Sequence, residues 1–166
     1  VTPVHFAGLA CKMKEIKNIA DKNNLLVIED AAHALGAKYE DGSMVGNCKY
    51  SLMTGFSFHP VKSIAAVEGG MITTNDEDAY HQLLRLRSHG INKTTDKLFY
   101  PDQTDEKGIH AQWYYEMQEL GYNYRITDIQ SALALSQLAK LDKFIQRRKE
   151  IVRKYDQAFV NTINLR

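Results

Sequence analysis

At 166 residues the chain is long enough for one ordinary domain with a real core. Its 44% hydrophobic and 25% charged residues are the composition of a globular protein, and a net charge of +1 gives no reason to expect a nucleic-acid or anionic-membrane surface. No apolar run approaches the roughly 20 residues of a membrane helix, and Cys11 and Cys48 form neither a disulfide framework nor a metal pattern, which fits reduced thiols in a cytoplasmic protein.

The opening residues, Val1-Thr2-Pro3-Val4-His5, have no charged n-region, no h-region and no initiating methionine, so no secretory signal is expected. Val1 to Val4 reads as the tail of a strand, and His5 to Gly8 as a loop at its carboxyl end. A lone loop histidine is more often structural than catalytic, so His5 is left out of the site. A helix of about three turns is expected from Lys12 to Asn23, with Met13, Ile16, Ile19 and Ala20 as one apolar stripe. Leu25 to Ile28 is an unbroken apolar run, as in a parallel strand buried on both faces. Helix followed by buried strand is the α/β rhythm.

Glu29 and Asp30 come directly after that strand, where ligands of open α/β sheets bind. Their alternative is an acidic pair at a helix N-terminus, favourable with the macrodipole. Lys38 to Ser51 is polar and turn-rich, with Asp41-Gly42 as the turn of a hairpin between two short strands.

A β run from Thr54 to Phe58 then stops at Pro60, which cannot donate to a ladder. A loop carries Lys62 to Glu68-Gly69-Gly70, where glycine allows a tight return. A second β run, Met71 to Thr74, leaves it. By itself this is a hairpin whose lysine faces water, but Ser57-Phe58-His59-Pro60-Val61-Lys62 resembles the lysine segment of the DegT-type sugar-nucleotide aminotransferases. There a Ser-Phe-His-x-x-Lys run supplies the lysine that forms a Schiff base with pyridoxal phosphate.

Downstream, Asn75 or Asp76 is expected to cap a helix to about Arg87, with Ala79, Tyr80, Leu83, Leu84 and Leu86 as its apolar face. Gly90 suits a left-handed position after the helix end. Ile91 to Gln118 reads as a long irregular stretch and its length argues for disorder or a functional loop. Trp113-Tyr114-Tyr115 argues against disorder throughout, because aromatic rings need packing partners. Thr127 or Asp128 caps a helix with Ile129, Leu133, Gln137 and Leu141 along one side, and a basic helix from Lys143 to Phe159 follows a slight break. Its cluster Gln146-Arg147-Arg148-Lys149-Glu150 reads as a solvated face.

The resemblance implies a fold-type I large domain, a mainly parallel sheet between helices, occupying residues 1–166. It also implies that the rest of the large domain and a C-terminal small domain lie outside this chain, both of whose ends read as cuts through a larger protein. It makes Lys62 the catalytic lysine and Asp30 the partner of the pyridine nitrogen. His33 falls beside the cofactor ring and its 3-hydroxyl, and Ser57 on the cofactor phosphate. The Asn123-Tyr124-Arg125 signature places Asn123 on the neighbouring subunit's cofactor phosphate in a homodimer, with Arg125 for a substrate carboxylate and His59 near the substrate. The alternative for Asn123 is a loop packing onto its own helix, and for Ser57 a hydroxyl bonding its own backbone. Trp113 to Gly121 is similar to transaminases of the pseudaminic acid pathway. The implied reaction moves an amino group from an amino-acid donor, glutamate in this reading, to a nucleotide-linked keto sugar. Within the same family the alternative is a different keto-sugar substrate, and outside it a non-catalytic piece of the large domain.

Overall fold

The computed structural model describes residues 1–93, 97–103 and 109–160. In chain order its helices are α1 (Met13–Lys22), α2 (Glu77–Leu86), α3 (Asp128–Leu138) and α4 (Leu141–Phe159). The strands are β1 (Ile28–Asp30), β2 (Met53–Ser57), β3 (Gly70–Thr74), β4 (Ile91–Asn92) and β5 (Glu116–Met117). The chain divides into two compact units, one of Val1–Asn75 with Ile126–Arg166, the other of Asp76–Arg125.

The first unit is built on a sheet ordered β1-β2-β3. β1 and β2 run parallel, with Asp30 opposite Gly55, and β2 turns back antiparallel into β3, with Ser57 opposite Gly70. Val1 to Val4 adds a parallel segment beside β1, bridging Val4 to Asp30 through the Asp30 N–H to Pro3 carbonyl and His5 N–H to Asp30 carbonyl bonds. The sheet is therefore parallel on one side and antiparallel at β3, where a hairpin leaves no room for a crossover.

Two apolar clusters hold this unit. Met13 and Ala20 of α1 are buried with Val27, Ala31, Ala34, Tyr39 and Val45. Phe58, Ile64 and Ala66 of the lysine loop are buried against Leu35, Ile126, Ala134 and Leu141. Phe56 packs on both. α3 begins in a capping box, Thr127 accepting from the Gln130 amide while Gln130 Oε1 accepts from the Thr127 N–H.

Several expectations are corrected here. The strand after α1 begins at Ile28 and not Leu25, and it is not buried on both faces: Val27 and Glu29 are buried while Leu26 and Ile28 are exposed. That is period-two alternation, with one face packed. Ile19, assigned to the α1 stripe, is also exposed. The Asp41-Gly42 turn forms, with Gly42 at φ +81°, but it joins a single bridge, Lys38 to Met44, in place of two strands. On α3, Ile129 is 84% exposed and the inward side is the one carrying Ala134, because the packing partner is the Phe58 cluster. No helix of the described residues is long and apolar enough to cross a membrane.

The second unit holds α2, capped by Asp76 on the Ala79 amide, and the antiparallel pair β4 and β5. This pair corrects the expectation of an irregular stretch from Ile91 to Gln118: its two ends are zipped together, Ile91 opposite Met117 and Asn92 opposite Glu116. Its Thr94–Asp96 and Asp105–Gly108 segments lie outside the described residues, as does Asn161–Arg166 at the chain end. Gly90 has φ +68°, and a Cβ there would overlap the Glu119 carbonyl oxygen, so glycine is required for two reasons. Trp113 is exposed and makes an edge contact to Tyr114. Aromatic character did not imply burial at that position.

Candidate active site

Three chain segments end at one edge of the first unit's sheet: Val4 beside β1, Asp30 at the end of β1, and Ser57 at the end of β2. Since all three run parallel, their carboxyl ends share an edge, which is where ligands of such sheets collect. Asp30 ends β1, with Ala31 donating its N–H to the Gly55 carbonyl of β2. Ser57 lies two residues beyond Gly55, and Lys62 sits in the loop that starts there.

The acidic pair divides its labour. No helix follows Asp30, since residues 31–37 form turns, so the helix N-terminus reading has no helix to act on. Asp30 Oδ1 accepts from the Ala32 N–H at 3.0 Å, and among the described residues Oδ2 takes no donor. Glu29 points the other way along the strand and is fully buried. Its Oε2 accepts from His5 Nε2 and Tyr39 Oη, both at 2.7 Å, and its Oε1 from Ser51 and from Thr54 at 3.3 Å.

Burial alone would raise the Glu29 carboxyl; the bonds from His5, Ser51 and Tyr39 outweigh it and hold the group below its ordinary value. Conversely, burial first and the hydrogen bond to Glu29 second push the Tyr39 phenol well up. The Cys11 N–H donates to His5 Nδ1 at 3.0 Å, so that nitrogen carries no proton and Nε2 is the one that donates to Glu29. His5 is thus structural. The contributions of Tyr39, Ser51 and Thr54 were not foreseen, and no periodicity could have revealed them, because they come from a turn, a loop and a neighbouring strand.

His33 is exposed, accepts the Ala7 N–H at Nδ1 (3.3 Å) and lies 5.6 Å from the Phe6 ring. Ser57 Oγ accepts the His59 N–H at 3.3 Å, which leaves its own hydroxyl proton to donate elsewhere. The local bond expected as the bland alternative is therefore present without using up the donor. His59 Nδ1 lies 2.9 Å from Glu68 Oε1 across the mouth of the loop.

The loop itself is set by sheet and core. Phe58 and Ala66 clamp it through the Phe58 N–H to Gly69 carbonyl and Ala66 N–H to Phe58 carbonyl bonds. A Lys62 N–H to His59 carbonyl bond makes the turn that presents the lysine. The Lys62 side chain is half-buried and, among the described residues, makes no hydrogen bond or ion pair. Lys49 differs: Asp41 holds its ammonium at 2.6 Å.

Asn123 and Arg125 belong to the second unit and are exposed. Asn123 bridges Ser88 in a strand-like pairing, and Tyr122 stacks on Tyr124 at 4.7 Å. The backbone around Asn123 is fixed by the Tyr122 N–H to Leu86 carbonyl and His89 N–H to Tyr122 carbonyl bonds.

One strand edge thus offers a carboxylate oxygen, a hydroxyl proton and an unpaired primary amine. A profile of the DegT/DnrJ/EryC1/StrS aminotransferase family matches residues 1–165. The chain belongs to that family. Among DegT relatives it is 39% identical over 159 residues to the UDP-4-amino-4,6-dideoxy-N-acetyl-beta-L-altrosamine transaminase of Campylobacter jejuni, covering 96% of this chain and 37% of that protein. The structure resembles Helicobacter pylori PseC, an aminotransferase involved in the biosynthesis of pseudoaminic acid. The TM-score is 0.82 at 32% identity, over 98% of this chain and 38% of that one. It also resembles the PLP form of the putative sugar aminotransferase Spr1654 of Streptococcus pneumoniae, with TM-score 0.78 at 28% identity, over 96% of this chain and 41% of that one. The chain spans about two-fifths of the length of these DegT-family proteins. The α/β architecture expected from the sequence is the one these neighbours share.

Proposed function

We propose that this chain is the lysine-bearing part of a pyridoxal-phosphate-dependent aminotransferase. In this reading it contributes part of the large, cofactor-binding domain of a homodimer, and the enzyme moves an amino group from glutamate to a keto-deoxysugar carried on a nucleotide. The observation that carries the reading is the unpaired Lys62 amine on the loop that leaves β2, beside a parallel strand ending in Asp30. The Helicobacter protein, by its title, supports a substrate of the pseudaminic acid type, and the Campylobacter relative, by its name, a UDP-linked amino-dideoxysugar.

The donor set fits the cofactor. A carboxylate with a free oxygen suits a protonated pyridine nitrogen, a hydroxyl with a free proton suits a phosphate, and an unpaired amine suits an aldehyde. Pyridoxal phosphate, when bound, supplies the electron sink that stabilises a carbanion at the amino-bearing carbon. Everything else falls to the protein. Asp30 keeps the ring nitrogen protonated by its charge, and Glu29 anchors the strand end that carries it. Ser57 donates to the phosphate, and Asn123 of a neighbouring subunit adds a second donor. His33 flanks the ring. Lys62 anchors the cofactor and then, once freed, carries a proton between two carbons as general acid and base. Arg125 and His59 are assigned to substrate.

Lys62→Arg tests the anchor, since a guanidinium keeps the charge but stays protonated and forms no bond to an aldehyde. The wild-type protein should turn yellow with pyridoxal phosphate, and borohydride should fix the label on Lys62; the variant should do neither. Label on Lys49 or Lys38 would overturn the reading. Asp30→Asn should still bind cofactor and lose most turnover, because it keeps shape and removes charge. Near-normal rates in that variant would remove Asp30 from the site.

A further inference from the structure

The loop that carries Lys62 returns to the sheet through a strained turn. Its inner side is anchored by Phe58, Ile64 and Ala66, all buried. On the return leg the Glu68 N–H donates to the Ala66 carbonyl at 2.8 Å, two residues back, and Val67 between them has φ +64°. That is the positive-φ form of the three-residue turn, which is rare and strained. Of the described non-glycine residues with positive φ, Val67 alone is β-branched, the side chain that tolerates this region least. Its side chain is exposed, so packing of the valine itself does not offset the cost.

A strained turn persists only where its surroundings hold it. Here the hold falls on Glu68. Its Oε1 lies 2.9 Å from His59 Nδ1, on the leg that leaves β2. An ionised carboxylate only accepts, so that nitrogen carries the proton. The Glu68 carbonyl accepts from Gln130 Nε2 at 3.0 Å. Gln130 is aimed by its own helix: its Oε1 accepts from the Thr127 N–H in the capping box of α3, which leaves the amide nitrogen for the loop. The turn is thus tied to the outgoing leg on one side and to α3 on the other, all within the first unit. Lys62 makes no side-chain bond among the described residues, so the loop backbone sets where its amine lies.

We propose that Glu68 is a positioning residue for Lys62, with Gln130 as its second hold. Together they keep the loop closed on the strained turn, so the backbone under the amine stays in place while the amine's own bonds change. The proposal rests on the reading above that Lys62 anchors an aldehyde and later moves a proton. Displacing a reacting group by about 1 Å costs up to roughly a hundredfold in rate, so closure of both legs matters to such an amine.

The test has two readouts on the protein as the cell makes it. One is amide hydrogen exchange before any cofactor is added. The other is the rate at which pyridoxal phosphate becomes fixed to Lys62 on borohydride reduction. Glu68→Ala should speed exchange at the Lys62 and Ala66 amides about three- to fivefold, the scale of an exposed pair, and slow labelling by a similar factor. His59 and Glu68 are both exposed, so the circular dichroism should stay that of the wild type. Glu68→Gln should restore both readouts, because its amide oxygen still accepts from His59. Gln130→Glu keeps the capping-box acceptor and removes only the donor to the loop, so it should move both readouts in the same direction. Glu68→Ala should matter less in a Val67→Gly background, because glycine takes this φ without strain. Wild-type exchange and labelling in Glu68→Ala overturn the proposal. So does a Glu68→Gln variant that behaves as Glu68→Ala, or an equal loss in the glycine background. Absence of label on Lys62 in the wild type overturns the aminotransferase reading and leaves the exchange readout standing, so the two failures are separable.

Discussion

Each of the two units contains a buried carboxylate with all its acceptor positions filled, but they are filled differently. Glu29 takes four side chains, from His5, Tyr39, Ser51 and Thr54, which lie 10 to 25 residues away in sequence. Glu116 takes the backbone N–H groups of Phe99 and Tyr100 at 2.6 and 2.8 Å, and the side chains of Tyr114 and Gln118, each two residues away. The first arrangement ties an opening segment, a turn, a loop and a neighbouring strand to β1. The second organises one loop around its own strand. A carboxylate that gathers distant side chains is a tertiary lock, and the one beside it, Asp30, inherits its rigidity; a carboxylate that gathers nearby amides shapes only local chain.

The largest effect should come from breaking the lock. Glu29→Gln turns one acceptor edge into a donor that faces donors, and it removes a charge whose partners remain buried. With His5 neutral no ion pair is broken, and the loss is that of a buried donor left unsatisfied, about 1–3 kcal/mol for each such group, read from the denaturant midpoint. The pH dependence has a definite sign. The folded Glu29 carboxyl lies below its ordinary value of 4.5, so its contribution is complete above that pH and disappears as pH falls through the folded value. Wild-type stability should therefore fall as pH drops below about 4.5, and more steeply than in Glu29→Gln. Parallel curves would remove Glu29 from the account.

Glu116→Gln should lower stability less, and its effect should stay local. Burial would raise this carboxyl, and the Phe99 amide, Gln118 and the Tyr100 amide more than offset that, so acid should weaken this loop with the same sign. Hydrogen exchange separates the cases. Glu116→Gln should speed exchange at Phe99 and Tyr100 and leave β1 and β2 protected, whereas Glu29→Gln should expose β1. Uniform loss of protection in both variants would erase the distinction.

The smallest effect sharpens the comparison by removing what the two units share. Asp76 caps α2 in one unit and Thr127 caps α3 in the other. Asp76→Ala and Thr127→Ala should each cost about 1 kcal/mol. A cap acts on the first turn of its own helix, so these costs should be alike whichever unit carries the helix.

Legibility in the sequence followed the range of the interactions. The two caps, the Asp41-Gly42 turn, the left-handed Gly90 and the hairpin around Lys62 were all readable, because each is decided within a few residues. The site residues were readable only through their resemblance to a family. Asp30, Ser57 and Lys62 have no periodicity of their own, and their proposed roles come from the resemblance. The inward side of α3 was misjudged, because Ile129 and Ala134 are told apart only by what packs against them. The face of β1 was misjudged for the same reason: an apolar run does not say which side the core is on.

The sequence by itself determined the local conformations, the α/β class and, through the order of its motifs, the family. Tertiary structure alone decided that Glu29 and Asp30, adjacent in the chain, have opposite fates. In a strand, successive side chains point to opposite faces. Glu29 was therefore turned into a cluster of donors assembled from four separate segments, while Asp30 was left at the edge with an oxygen to spare. Tertiary structure also decided that Gln130 caps its own helix with one end and holds the Glu68 carbonyl with the other, because only folding brings residues 68 and 130 together. A capping box can be read in one dimension, but where its spare amide points depends on what lies across from it.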